Sequence, residues 1–212
     1  MKRAKKPFLI AAALLVAFVL WTVLVCHVDV RPIGPRGSTV GLAGINQSVH
    51  RLTGVHFTLY HITDWLGLVP VAVCLGFGIL GLAQWIRRKS LRQVDPDILL
   101  LGVFYILTIG AYLFFENFVV NYRPVLISGY LEVSYPSSTT LLVLCVMPTA
   151  ILQFKKRIQN PVLRKAVSLI TTVFIAFMVI GRLLSGVHWF SDIVGGLLLS
   201  GGLVMLYRAV TR

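Results

Sequence analysis

Six runs of apolar residues, at about 8–26, 66–86, 98–115, 138–154, 166–184 and 188–207, are each near the roughly 17 to 25 residues that a helix needs to cross a bilayer. Nothing else in the chain constrains its fold as strongly. With 57% of its residues hydrophobic and only 13% charged, the chain lacks the polar surface of a soluble domain. The expected fold is all-α: a polytopic membrane protein forming a six-transmembrane-helix bundle, one membrane domain over residues 1–212 with no internal repeat.

A net charge of +13 would suit a nucleic-acid binder, but the positions of the basic residues exclude that reading. Lys2, Arg3, Lys5 and Lys6 precede span one, and Arg87, Arg88, Lys89 and Arg92 follow span two. Lys155, Lys156, Arg157, Arg164 and Lys165 separate spans four and five, and Arg208 and Arg212 end the chain. All fall on one side of a six-span topology, which the positive-inside rule makes cytoplasmic. The remaining arginines, Arg31, Arg36, Arg51, Arg123 and Arg182, lie on the other side. The expectation is a multi-pass protein of the cell membrane with both termini cytoplasmic and its ionisable site facing outward.

The basic start followed by an apolar run resembles a signal peptide, but the run is too long and lacks an A-x-A site, so it is read as an uncleaved first span. Cys26, Cys74 and Cys145 sit in or at the end of apolar spans without metal-ligand spacing and are read as packing residues. "GFGILG" at 76–81 matches a nucleotide-binding pattern but lies inside a span with no preceding strand, so close helix packing is the better reading. "NQS" at 46–48 is a formal glycosylation acceptor that carries no weight by itself. Between spans one and two lie about 40 residues, too many for a bare connection. Their second half, with Ile45, Val49, Leu52, Leu59 and Ile62 near helical spacing, is expected to form an amphipathic outer interfacial helix. His50, His56 and His61 there are read as solvated rather than metal-binding.

In the second half of the chain every ionisable residue that is not cytoplasmic falls at the outer face: Glu116, Arg123, Glu132, Arg182, His188 and Asp192. Such residues in or beside membrane spans mark functional sites. Arg123 and Arg182 come from separate stretches, and two guanidiniums at one site form a phosphate clamp. His188 and Asp192, four apart, share a face of a helix starting near Val187. A carboxylate on one imidazole nitrogen fixes the tautomer and leaves the other free to attack. The plain alternative is a structural Arg182–Asp192 pair with a spectator histidine.

Arg182-x5-His188-x3-Asp192, preceded by "NYRP" and "YPSSTT", resembles the type 2 phosphatidic acid phosphatase family, integral membrane lipid phosphatases related to vanadium haloperoxidases. The family pattern is KxxxxxxRP, PSGH and SRxxxxxHxxxD, each at the outer end of a span. The third motif is met except that Gly181 replaces its serine; Arg123 and Pro124 meet the first, Pro136 and Ser137 the second. The likeness covers about residues 60–207. It implies His188 as a nucleophile forming a phosphohistidine, Asp192 as its orienter, Arg123, Arg182 and Ser137 as phosphate ligands, and neither metal nor cofactor.

Two positions depart from the pattern. Glu116 stands where the family has a lysine, and Thr139 where it has the histidine that protonates the leaving oxygen. A threonine has no ionisation near neutral pH. Three readings follow: another acid acts, with Glu116 the first candidate and Thr139 and Ser138 as further contacts; the substrate is a phosphoanhydride, whose leaving group needs less protonation; or a phosphorylated lipid is bound without turnover. Tyr122 and Tyr135 could also donate a proton, but tyrosines near an interface are read first as belt residues. The expected function is a membrane phosphatase acting on a lipid-linked phosphate or polyprenyl diphosphate, the alternative a catalytically impaired lipid-phosphate binder. A transporter would show more polar residues at mid-membrane than Thr108, Thr171 and Thr172.

Overall fold

Each apolar run is helical, and proline, glycine or a capping side chain marks several of the helix ends. The computed structural model describes residues 2–211, with side chains from Lys5 onward. Its helices are α1 (Lys2–His27), α2 (Ala43–Thr53), α3 (Phe57–Leu66), α4 (Leu68–Arg88), α5 (Pro96–Asn117), α6 (Ser138–Arg157), α7 (Pro161–Leu184) and α8 (Phe190–Val210). Six segments are long and apolar enough to cross a membrane: α1, α3 with α4 as one stretch over Phe57–Arg88, α5, α6, α7 and α8. The start of α7 shows the local logic. Asn160 Oδ1 accepts the N–H groups of Val162 and Leu163 at 2.9 and 3.2 Å, and Pro161 takes the first helical position. Between α3 and α4, Pro70 has no N–H to offer the Leu66 carbonyl four residues back, and the helix breaks there.

Helix α6 is the hub, packing against α4, α5, α7 and α8, while α1 lies along α8. A β-carbon on Gly202 would come within 2.7 Å of Leu15 Cδ2, so the absence of a side chain lets α1 and α8 approach closely. The glycines of "GFGILG" serve packing only in part: Gly81 abuts Ile98 of α5, whereas Gly76 and Gly78 face open space.

The basic clusters gather at one end of the bundle. Arg157 lies 3.3 Å from Asp97 and 3.6 Å from Asp95, and Arg88 lies 2.9 Å from Asp95. The connections before α2, between α5 and α6 and between α7 and α8 gather at the opposite end, where Arg36 Nη2 donates to the Gly129 carbonyl at 3.0 Å. The alternation read from charge is thus the alternation of the helices.

The interfacial segment differs from expectation in two respects. It is two helices rather than one, because Gly54 ends α2 with a φ of 66° and α3 then joins α4; Leu59 and Ile62 therefore belong to span two. The inward face of α2 is polar: Asn46 is fully buried and His50 lies one turn further on, while Ile45 and Leu52 are exposed on the bundle surface. His50 is not simply solvated, since its ring lies 5.4 Å from that of Trp189 and its Nε2 is 3.1 Å from the Gly186 carbonyl oxygen. The "NQS" asparagine is Asn46 itself, enclosed and hydrogen-bonded at both ends of its amide, so it is not presented for modification.

Candidate active site

The turn between α7 and α8 is held from below and from the side. Ser185 Oγ donates to the Arg182 carbonyl at 2.7 Å, and the Ser185 carbonyl accepts His56 N–H at 2.9 Å. Gly186, with a φ of 67°, touches the α2–α3 break so closely that a β-carbon would lie 1.8 Å from the Gly54 carbonyl oxygen. Only glycine fits there. His188 follows this turn and precedes α8, which begins at Phe190 rather than near Val187. The reason is Asp192: its Oδ2 accepts Trp189 N–H at 2.9 Å and so caps the helix three residues behind it.

His188 is buried, its Nδ1 is 3.6 Å from Asp192 Oδ2, and neither ring nitrogen has a hydrogen-bond partner. Burial first, and then the nearby charges of Arg123 and Arg182, hold its pKa well below the ordinary 6.5. The imidazole is therefore neutral, the form with a lone pair to give.

A layer of amides supports the pair. Asn121 Nδ2 lies 3.4 Å from Asp192 Oδ1 and 3.3 Å from Ser191 Oγ. Asn46 accepts Ser191 N–H at 3.0 Å and donates to Ser191 Oγ at 2.9 Å. Trp189 Nε1 donates to the Tyr122 carbonyl at 2.8 Å, which ties the turn to the segment carrying Arg123.

Both arginines lie against Tyr60 of α3, their guanidinium carbons 5.9 Å (Arg123) and 5.0 Å (Arg182) from its ring centre. Arg123 Nε is 3.0 Å from Glu132 Oε2 but out of line for a hydrogen bond, and Nη1 has no partner. Arg182 is almost wholly buried. Its Nη1 reaches the Tyr60 carbonyl (3.5 Å) and Thr63 Oγ1 (3.3 Å), and its Nη2 reaches Asp64 Oδ1 (3.2 Å) and Thr139 Oγ1 (2.6 Å), leaving Nε without a partner. The acidic partner of Arg182 is thus Asp64, not Asp192.

The structure brings His188, Asp192, Arg123, Arg182 and Ser137 together. Ser137 precedes α6, but its N–H is taken by the Asp192 carbonyl at 3.1 Å and its Oγ receives the Thr140 hydroxyl at 3.0 Å. Thr139 reaches the cluster through Arg182. Glu116 does not join it: the side chain is exposed at the end of α5 and lines a small hollow with Tyr112, Ser138 and Pro136. Asp64, Tyr60, Asn46 and Asn121 belong to the site without having been singled out in the sequence. Among the described residues no group of His, Cys, Asp and Glu is arranged to hold a metal ion.

Beside Thr139 an apolar cavity of about 530 Å³ opens between α4, α5 and α6, with Asp64, Ser138 and Thr139 at its polar head and Leu68, Val71 and Leu75 along one wall. It shares Cys74, Leu75, Tyr105 and Ile109 with a second cavity of about 550 Å³ that reaches Trp85. The two make one furrow along α4, about 25 Å from Leu68 to Trp85 at the rise of a helix. Leu68, Leu75 and Ile109 are exposed on the bundle's flank, so the furrow opens sideways.

No curated protein matches the chain. Among solved structures, the fold is similar to that of the first transmembrane PAP2 type phosphatidylglycerolphosphate phosphatase from Bacillus subtilis, with a TM-score of 0.63, 18% identity, and coverage of 95% of this chain and 96% of that one. The sequence model of the PAP2 superfamily matches residues 100–212, the stretch that supplies Arg123, Ser137, Arg182, His188 and Asp192. With more than half of its length matched, including the histidine, the aspartate and both arginines of the site, the chain belongs to the PAP2 superfamily.

Proposed function

We propose that the protein is a membrane lipid phosphatase that removes phosphate from a lipid-linked monophosphate or diphosphate through a phosphohistidine on His188. One observation carries the reading: Arg123 Nε and Nη1, Arg182 Nε and both nitrogens of His188 are buried without hydrogen-bond partners, and Arg182 is bound to Asp64 and Thr139, which line the polar head of an apolar furrow. Buried polar atoms are ordinarily paired, and leaving one unpaired costs about 1–3 kcal/mol. A phosphate supplies the missing acceptors for the arginines and an electrophile for the histidine, and the furrow supplies a place for the tail.

In this reading the neutral imidazole attacks phosphorus, the arginines hold the charge developing on the phosphoryl oxygens, and Asp192 opposes the positive charge that the imidazole gains. Thr139, bound to Arg182 where the family pattern has its proton donor, favours the second reading, a lipid-phosphate binder without turnover. Against it, a binder has no use for a buried histidine held neutral beside an aspartate. Purified protein should release inorganic phosphate from a panel of lipid monophosphates and diphosphates. Tight binding of those lipids without release would favour the binder.

The site is proposed to face outward, on the grounds that the basic clusters lie at the other end of the bundle. A cysteine introduced at Arg36, an exposed residue at the His188 end, should react with a membrane-impermeant thiol reagent added to intact cells. Reaction only after the reagent is admitted to the cytoplasm would reverse the orientation.

A further inference from the structure

Transfer of a phosphoryl group from a lipid alcohol to His188 expels an alkoxide unless a proton reaches the ester oxygen, and a positioned acid typically contributes about 10²–10⁴-fold to such a step. The furrow fixes where that oxygen lies. Because Arg182 binds Asp64 and Thr139 at the furrow's polar head, a lipid with its phosphate on Arg182 and its tail in the furrow places the ester oxygen beside Asp64, Ser138 and Thr139. Of these, only Asp64 carries an ionisable group. Glu116 lines an adjoining hollow that shares Tyr112, Ser138 and Leu141 with the furrow, and does not itself line the furrow.

Asp64 is poised for exchange. Its Oδ1 shares Arg182 Nη2 with the Thr139 hydroxyl, at 3.2 and 2.6 Å, while its side chain remains 55% exposed and free to turn. On the phosphatase reading given above, we propose that Asp64 is the proton donor to the leaving oxygen, serving as the counterion of Arg182 until substrate arrives. The incoming phosphate takes over Arg182 and releases the carboxylate. Standing beside a phosphate anion instead of a guanidinium, the carboxylate takes up a proton. As the His188–phosphorus bond forms and the phosphorus–oxygen bond breaks, that proton passes to the oxygen and the lipid leaves as an alcohol. Asp64, again a carboxylate, returns to Arg182 once phosphate has gone. Water attacks the phosphohistidine and gives up a proton to solvent, replacing the one taken up before the first step; the nitrogen–phosphorus bond breaks, inorganic phosphate departs, and both side chains return to their starting states.

The test compares a short-chain phosphatidate, whose leaving alcohol is strongly basic, with p-nitrophenyl phosphate, whose leaving group needs no proton. Asp64→Asn should lower kcat on the phosphatidate by about 10²–10⁴-fold and lower p-nitrophenyl phosphate hydrolysis far less, and the retained p-nitrophenyl phosphate turnover also reports that the variant is folded. Adding Thr139→His to Asp64→Asn should restore part of the phosphatidate rate by placing an imidazole at the same head of the furrow. Equal losses on the two substrates would reduce Asp64 to a structural counterion, and an undiminished phosphatidate rate would remove it from the reaction; either result overturns the assignment while the phosphatase reading stands. Absence of His188-dependent release from both substrates in the wild-type protein would end that reading and this assignment with it.

Discussion

Phosphate release should fall by about 10⁴-fold or more when His188 is replaced by alanine, the scale on which loss of a covalent nucleophile is ordinarily felt. The neighbouring hydroxyl oxygens are already engaged: Ser137 Oγ accepts the Thr140 hydroxyl, and Thr139 Oγ1 accepts Arg182 Nη2. The variant should remain folded. Removing a buried side chain usually destabilises by leaving a cavity, but here the same change removes two nitrogens that have no partner in the unliganded protein, and the two effects oppose. Arg123 and Arg182 are untouched, so orthovanadate or phosphate should still raise the thermal midpoint of the variant. Turnover at the wild-type rate in His188→Ala would end the phosphohistidine mechanism, and loss of both turnover and anion binding would show that the residue holds the site together rather than reacting.

Asp192→Asn should have the next largest effect, a loss of about 10³–10⁴-fold in kcat. The carboxylate does two things with nearly one geometry: Oδ2 caps α8 through Trp189 N–H and faces His188 Nδ1, while Oδ1 receives Asn121. An amide cannot reproduce both. With its oxygen on the cap, its NH2 meets the NH2 of Asn121; turned over, it gives up the cap and aims a donor at His188. In either orientation the negative charge that would balance the phosphorylated imidazole of the proposed mechanism is gone. Rapid-quench measurement should show slow formation of the phosphoenzyme, with the helix cap contributing about 1 kcal/mol to any loss of stability. Phosphoenzyme formation at the wild-type rate would mean that Asp192 serves the fold alone.

The spans were legible because length and apolarity suffice to define them, and the candidate site because a histidine, an aspartate and two arginines beside apolar runs stand out. What escaped the sequence was direction and distance. Glu116 has the spacing to Arg123 that the motif sets, yet spacing along a chain does not say which way a side chain at the fraying end of α5 points, and this one faces out. Asn46 reaches Ser191 across 145 positions, a contact with no local trace. The one available signal was the i, i+4 relation of Asn46 and His50, a polar stripe on α2 opposite the apolar residues that drew the amphipathic reading. Asp64 was invisible for a related reason: before the α3–α4 stretch is folded against α7, nothing marks it as the neighbour of Arg182 rather than an ordinary helix-end carboxylate.

The furrow between α4 and α5 opens on the flank of the bundle, and on the proposed function this sets the unit in which the protein counts its substrate. Its solvent is two-dimensional. Occupancy follows the mole fraction of the phosphorylated lipid among the amphiphiles that wet Leu68, Leu75 and Ile109, so diluting a fixed amount of substrate with detergent or inert lipid slows turnover at constant bulk molarity. An affinity expressed in molar units then describes the mixture as much as the protein, and two preparations agree only when their surface compositions do.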